Sequence, residues 1–345
     1  MAQSVRAAYH RAVISVASIL RKAGAPAFLS TDPSTVRYCT GVSLSEGVLL
    51  ITHAGISLYT DSRYIEEACC RVQQAGVSVH SIEDLRRRMQ RIHMCAMQAD
   101  RVFVQDHARW MRTYKNTKFI QTNGLIEGLR RKKSTDELRE VRGAQRCTLH
   151  VLRQAERALK PGVSERAIAG LLHAWAQERG AEGLAFDPIV AFGSHTSRPH
   201  HHPTQRKLRA RDIVQIDVGV RWHGYCADKS RVYFIGEPTE RQRHIYAAVH
   251  LAKRTATTAV RPGVTNHELD RIARVVLHRY GLEQYFTHSL GHGIGLDVHE
   301  GISLSQRAPE QQLLRGEVVT IEPGVYLPGR FGIRLEDEVV VGTAV

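Results

Sequence analysis

No stretch of this chain approaches the roughly 18 apolar residues that a membrane-crossing helix needs, so no membrane association through such a helix is expected. Cysteine occurs six times, at 39, 69, 70, 95, 147 and 226, with no zinc-site or redox-motif spacing. The adjacent pair Cys69–Cys70 is no disulfide framework, and reduced thiols in a cytoplasmic protein fit best. Acids are scarce. There are 34 Asp and Glu against 48 Lys and Arg, giving a net charge of +14, and residues 1–31 contain no acid at all. Such a balance permits contact with nucleic acid. The only dense basic runs, however, are "LRRRMQR" at 85–91 and "LRRKK" at 129–133. These read as solvated helix faces and a linker, so no specific nucleic-acid partner is expected. The acid-free start holds a short apolar segment, "AVISVASIL" at 12–20, followed by Arg21 and Lys22. Its serines and its continuation into the strand-like "APAFLS" favour the first helix of a domain over a cleaved address, which stays as the alternative.

What the chain does have is pattern. Its 345 residues suggest two domains. Up to about residue 130, helical and strand-like segments alternate, as in "GVLLITHAGISLYTD" (47–61), a hairpin, and "YIEEACCRVQQAG" (64–76), a helix ending at glycine. Ser134 with Glu137 three residues later forms a capping box ahead of a long helix. The boundary is placed near 132, giving domains at 1–132 and 133–345.

The second part repeats. "KPGVSERAIAGLLHAWAQERG" (160–180) aligns with "RPGVTNHELDRIARVVLHRYG" (261–281) at an offset of 101. Each copy is a Pro-Gly turn, a Ser or Thr cap, an amphipathic helix and a closing glycine; Glu268 completes a second capping box. "VQIDVGV" (214–220) likewise matches "VTIEPGV" (319–325), Asp217 over Glu322. A second acid follows each on a returning strand, Asp228 in one half and Glu336 in the other. Two helices-then-hairpin units packed about a pseudo-twofold axis would bring these four carboxylates into one cleft.

A carboxylate inside an apolar strand is costly, and four together repel strongly. Two divalent cations would neutralise them, with carboxylates bridging the metals. The competing arrangement pairs the acids with Arg231 and Arg334. "GHGIGLDVHE" (291–300) supplies a fifth ligand, His292, between glycines that let backbone pack closely. A carboxylate-rich set with one imidazole leans towards manganese, with cobalt or zinc as alternatives. Further histidines at 200–202, 288 and 299 suit proton transfer or hydrogen bonding beside such a site.

In order along the chain, "FDPIVAFGSHTSRPHHHPTQRKL", "VQIDVGVRWHGYCADKSR", "HSLGHGIGLDVHE", "TIEPGVY" and "GIRLEDEVVV" resemble the pita-bread metallopeptidases, in particular the Xaa-Pro aminopeptidases and prolidases. "TVRYCTGVS" and "LYTDSRYIEEA" resemble the N-terminal domain of the same branch. The resemblance implies an α/β chain: a small creatinase-like N-terminal domain, then a pita-bread catalytic domain. It implies a two-metal exopeptidase that removes an N-terminal residue preceding proline. Its metal ligands would be Asp217, Asp228, His292, Glu322 and Glu336, with Asp228 and Glu336 bridging. Glu322 would also move the proton, and His200, His288, His299 and Arg334 would serve catalysis. It further implies short peptides with proline second as substrates, and a homodimer. A strict Xaa-Pro dipeptidase, a methionine aminopeptidase and a non-catalytic pita-bread binding protein are the competing readings. Departures are Lys229-Ser230, where the branch has an apolar residue and threonine, and His195 and Arg198 in the loop before His200.

Overall fold

A computed structural model describes residues 15–72 and 76–343. They form two compact units that divide between Arg130 and Arg131. In the first unit, helices α1 (Val16–Ala23), α2 (Pro33–Thr40), α3 (Ile65–Arg71), α4 (Ile82–Met89), α5 (Val104–Thr113) and α6 (Leu125–Arg130) alternate with six strands. These are β1 (Ala27–Ser30), β2 (Val48–Thr52), β3 (Gly55–Thr60), β4 (Val77–Ser81), β5 (Met94–Gln98) and β6 (Lys118–Thr122), in one sheet of order β4-β3-β2-β1-β5-β6. Period-2 alternation serves both faces. Phe28, Leu49 and Ile51 pack with Ile19 and Ile126 on one face; Leu29, Leu50 and Met97 pack with Leu85 and Trp110 on the other.

The 47–61 hairpin is present as β2 and β3, paired from Val48↔Tyr59 to Thr52↔Gly55. The segment at 12–20 enters α1 at Val16, capped by Ser15; residues 12–14 lie outside the described residues. The helix expected to reach Gly76 stops at Arg71, with Val72 already extended; residues 73–75 are outside the description. Among the described residues, no helix is long and apolar enough to cross a membrane.

The second unit opens with α7 (Thr135–Ala158), whose capping box is closed by Ser134 and Glu137 in both directions. Then come α8 (Glu165–Glu178), β7 (Gly183–Leu184), β8 (Ile189–Phe192), β9 (Ile213–Val218), β10 (Val220–Trp222), β11 (Tyr225–Cys226) and β12 (Lys229–Phe234). The second half answers with α9 (Glu240–Ala259), α10 (Asn266–Arg279), β13 (Gly291–His292), β14 (Ser303–Leu304), β15 (Val318–Ile321), β16 (Gly324–Leu327), β17 (Phe331–Arg334) and β18 (Asp337–Val340). Each half has its own apolar core, one around Val151, Leu172 and Ile216, the other around Val249, Leu269 and Ile321.

The repeat extends to the hydrogen bonds. Gly162 N donates to Leu208 O and Glu165 N to Arg206 O; Gly263 N donates to Leu313 O and Asn266 N to Gln311 O. β9 pairs with β12 as β15 pairs with β18. The second capping box is only half formed: Thr265 accepts from Glu268 N, but the Glu268 carboxylate turns towards Arg261, 4.0 Å away.

The basic run at 129–133 is not the solvated linker expected. Arg130 and Lys133 are buried, Arg131 pairs with Glu317, and Lys133 Nζ lies 2.9 Å from Glu300.

Candidate metal centre

The four repeat-related acids converge. Asp217 lies on β9, Asp228 just ahead of β12, Glu322 between β15 and β16, and Glu336 between β17 and β18. The second acid of each half thus sits in the approach to the returning strand rather than within it. Gly219 makes the break between β9 and β10 possible, because a Cβ there would lie 1.7 Å from Ala227 O. His292 on β13 reaches the same place. The glycines beside it are required: a Cβ on Gly291 would lie 2.0 Å from Thr320 O, and one on Gly293 2.2 Å from Glu300 O.

His292 Nε2 is 3.6 Å from Asp228 Oδ2 and 3.5 Å from Glu322 Oε1. Ligand atoms of Asp228, His292 and Glu336 all lie within 4.8 Å of one another. The group opens onto a cavity of about 740 Å³ lined by Asp217, Asp228, Glu322, His288, His292 and His299. His200 lines it too; Glu336 stands behind, 1% exposed.

The electrostatics are those of a site built for cations. Asp217 Oδ1, Asp228 Oδ1 and both Glu336 oxygens are buried without a hydrogen-bond partner among the described residues. Buried polar atoms in folded proteins are ordinarily bonded, so four orphaned oxygens in one place call for a ligand. Burial and then the neighbouring acids push the Asp228 and Glu336 carboxyls well above the usual range. Glu322 is pushed up to about 8, chiefly by burial, with Arg334 opposing. Burial pushes His292 down to about 3 and His288 to about 4, which leaves both imidazoles neutral; the Nδ1 of each faces a backbone carbonyl, of Gly293 and Ser289, so each Nε2 is the lone-pair nitrogen. Hard oxygens with one imidazole fit divalent ions.

One acid has an arginine after all. Arg334 Nη2 lies 2.5 Å from Asp217 Oδ2, and its other nitrogens donate to Ser230 Oγ (2.9 Å), Pro199 O (3.1 Å) and Tyr326 Oη (2.8 Å). Arg231 turns instead to Asp337, 2.7 Å away, outside the acid cluster. Lys229 likewise pairs with Glu338 (2.8 Å) and Asp337 (3.1 Å), while Glu338 Oε1 accepts from Asp228 N at 2.8 Å. The unusual lysine is therefore neutralised behind the site. His288 Nε2 is 2.9 Å from Tyr326 Oη, and the His299 ring is 4.1 Å from that of His292.

Tyr326, which joins His288 to Arg334, was missed from sequence. In "GVYL" it reads as one more strand apolar residue, and its hydroxyl partners lie on other segments.

Family comparison agrees with this geometry. The model of metallopeptidase family M24 matches residues 139–343, and that of the creatinase/prolidase N-terminal domain matches residues 15–132.

The chain belongs to metallopeptidase family M24.

Among its relatives, an uncharacterised peptidase of Bacillus subtilis, YqhT, is 30% identical over 92% of this chain and 91% of its own. A Xaa-Pro dipeptidase of Pyrococcus horikoshii is 31% identical over 95% of this chain and 93% of its own. The crystal structure of an X-Pro aminopeptidase from Thermotoga maritima superposes with a TM-score of 0.87 at 32% identity, covering 94% of both chains. This M24 chain is thus a metal-dependent hydrolase with the pita-bread fold and a creatinase-type N-terminal domain, not a non-catalytic binding protein.

Proposed function

We propose that this M24 enzyme removes the N-terminal residue preceding proline, using two divalent ions held by Asp217, Asp228, His292, Glu322 and Glu336. The observation that carries the ligand assignment is the set of orphaned buried oxygens on Asp217 and Asp228 in the cavity wall and on Glu336 behind it. When bound, the two ions supply an activated water, polarise the scissile carbonyl and hold the free amine. The protein's own groups do the rest. Glu322, in the cavity wall, would take up a proton and return it. Neutral His288 has its Nδ1–H on Ser289 O and its Nε2 facing the Tyr326 hydroxyl, so it braces Tyr326 beside the cavity, while His299 would donate hydrogen bonds to the developing charge and to the leaving proline nitrogen. His200 completes the histidine wall. Arg334 holds Asp217 and Tyr326 in place.

Manganese is the proposed metal, since four of five ligands are carboxylates. A cytoplasmic homodimer is proposed from the family resemblance. For substrate length, the aminopeptidase reading is preferred over the dipeptidase. Among the described residues lining the cavity, Arg334 is the one Lys or Arg, and its guanidinium is committed to Asp217, Ser230, Pro199 and Tyr326. A dipeptide's carboxylate would therefore meet no available fixed cation there. The test is hydrolysis of Ala-Pro, Ala-Pro-Ala and Ala-Ala-Ala by chelated enzyme to which Mn, Co or Zn is added back. Failure on every proline peptide with every metal would defeat the proposal.

A further inference from the structure

Glu165 is the first residue of α8, wholly buried, and lies outside the acid cluster. Its carboxylate gathers five donors. Oε1 accepts from Phe192 N (2.9 Å) and His195 Nδ1 (2.8 Å). Oε2 accepts from His201 Nε2 (2.9 Å), Thr204 N (2.9 Å) and Thr204 Oγ1 (2.6 Å). Desolvation pushes this carboxyl up, but the bonds from His201, Thr204 and Phe192 outweigh it and hold it below the usual range. Glu165, His195 and His201 have the proximity of a metal site. The carboxylate, however, already has its acceptor positions filled by these five donors, so this cluster is a clamp.

What it clamps is the loop that enters the catalytic cavity. Among the described residues, positions 199–203 make no backbone–backbone hydrogen bond. His200 and His202, flanking the clamped His201, line the cavity. The pseudo-symmetric position in the second repeat does the same job. Asn266, first residue of α10 and equally buried, donates to Ser303 O (2.9 Å) and Pro309 O (3.2 Å) and accepts from Gln311 N (2.9 Å). Both repeats thus use the residue after the helix cap to tie down a loop that follows.

We propose that Glu165 is a positioning residue, fixing the 193–204 loop and thereby the placement of His200 in the cavity; this rests on the metallopeptidase reading above. His195, unusual for the branch, is then one arm of the clamp. Glutamine cannot substitute, because each carboxylate oxygen faces a backbone N–H, and an amide NH₂ would meet a donor on either side.

The test uses the full metal-loaded chain with Glu165→Gln, His200→Ala and the double variant. Glu165→Gln is expected to lower kcat/KM about 10²-fold, the scale of a displacement near 1 Å, with metal content unchanged. The double variant is expected to be no slower than His200→Ala alone. Amide exchange across 192–204 is expected to accelerate in Glu165→Gln and not in His200→Ala. If Glu165→Gln does not fold, His195→Ala removes one donor and is expected to speed exchange of the same segment to a smaller degree. Multiplicative losses in the double variant, or unaltered exchange, would overturn the proposal. So would a third metal equivalent that His195→Ala abolishes. Should the wild type cleave no proline peptide, the functional reading fails, and the exchange measurement still decides whether Glu165 fixes the loop.

Discussion

Arg334 and Asp217 form a salt bridge of 2.5 Å in the cavity wall, their side chains 4% and 10% exposed. Asp217 Oδ2 serves the arginine, while Oδ1 has no partner among the described residues. The arginine thus offsets part of the acid cluster's charge and still leaves one oxygen of Asp217 available. Removing one member of a buried pair costs about 3–5 kcal/mol, because the remaining charge is stranded. Arg334→Leu is expected to lose stability on that scale in urea unfolding of the chelated protein. Arg334→Lys should recover only part of it, since an ammonium cannot span Asp217, Ser230, Pro199 and Tyr326 as the planar guanidinium does. Equal stability of Arg334→Leu and wild type would show the pair to be dispensable.

Asp228 is nine-tenths buried, with an orphaned Oδ1 and a carboxyl held far above its usual range by burial and by Glu336. Asp228→Asn keeps the shape and removes the charge. Metal content is expected to fall from two per chain to one or none, with the fold intact by circular dichroism. The chelated variant is expected to be more stable than chelated wild type at pH 8, because the cost of burying an ionisable carboxyl among the other acids has gone. Two metals per chain together with normal turnover would remove Asp228 from the bridge.

Much of this centre was legible in the sequence because duplication wrote it twice. Asp217 over Glu322 and Asp228 over Glu336 point to a shared cleft without any contact being known. The glycines around His292 announced close packing, and the contacts of Gly291 and Gly293 supply it. Partners that depend on long-range side-chain choice were not legible. Lys133 in a basic run looks like solvent-facing charge; its carboxylate, Glu300, is 167 residues away. Glu165 after a helix cap looks like ordinary dipole complementarity, and its five donors come from residues 192–204. Periodicity records which face of an element is buried, but not which polar group waits there.

The chelated protein should have an inverted pH dependence above neutrality. Glu322, raised to about 8, stays protonated in the folded state where the unfolded chain has ionised. Stability from such a group is present below the unfolded pKa and is lost as pH rises through the folded one. His288 and His292, depressed to about 4 and 3, act oppositely, but only below about 6.5, where an unfolded histidine gains its proton. Between pH 7 and 8 the carboxyl effect therefore dominates, at ~1 kcal/mol per unit or more. Thermal melts in chelator are expected to fall across this range, and metal-loaded protein should not show the fall. A chelated protein more stable at pH 8 than at pH 7 would contradict the buried-carboxyl account.

His299 lies ring to ring with His292, yet it is outside the ligand set proposed here. His299→Ala is expected to retain both metals and to lose roughly 10²–10⁴-fold in kcat, the usual worth of a positioned proton donor. His292→Ala should lose metal. Reversal of these two metal contents would exchange the roles of the histidines.

Whether substrates are limited to dipeptides is tested at Arg198. It is exposed and lines a second cavity of about 560 Å³ together with Ser197, Tyr326 and Pro328; Pro199 borders both this cavity and the catalytic one. The catalytic cavity has no uncommitted arginine or lysine among its described lining residues. If substrates were dipeptides only, recognition of the carboxylate after proline would require a fixed cation, and Arg198 is the candidate at the border. An exposed arginine on a loop is a weak clamp, because solvent screens it and ordering its side chain costs entropy. Wild type is therefore expected to cleave Ala-Pro-Ala with a kcat/KM at least equal to that for Ala-Pro. Arg198→Ala is expected to change the two substrates alike, within about threefold, as for a screened surface charge. Cleavage of Ala-Pro alone by wild type, lost selectively in Arg198→Ala, would make the enzyme a dipeptidase with Arg198 as its carboxylate clamp.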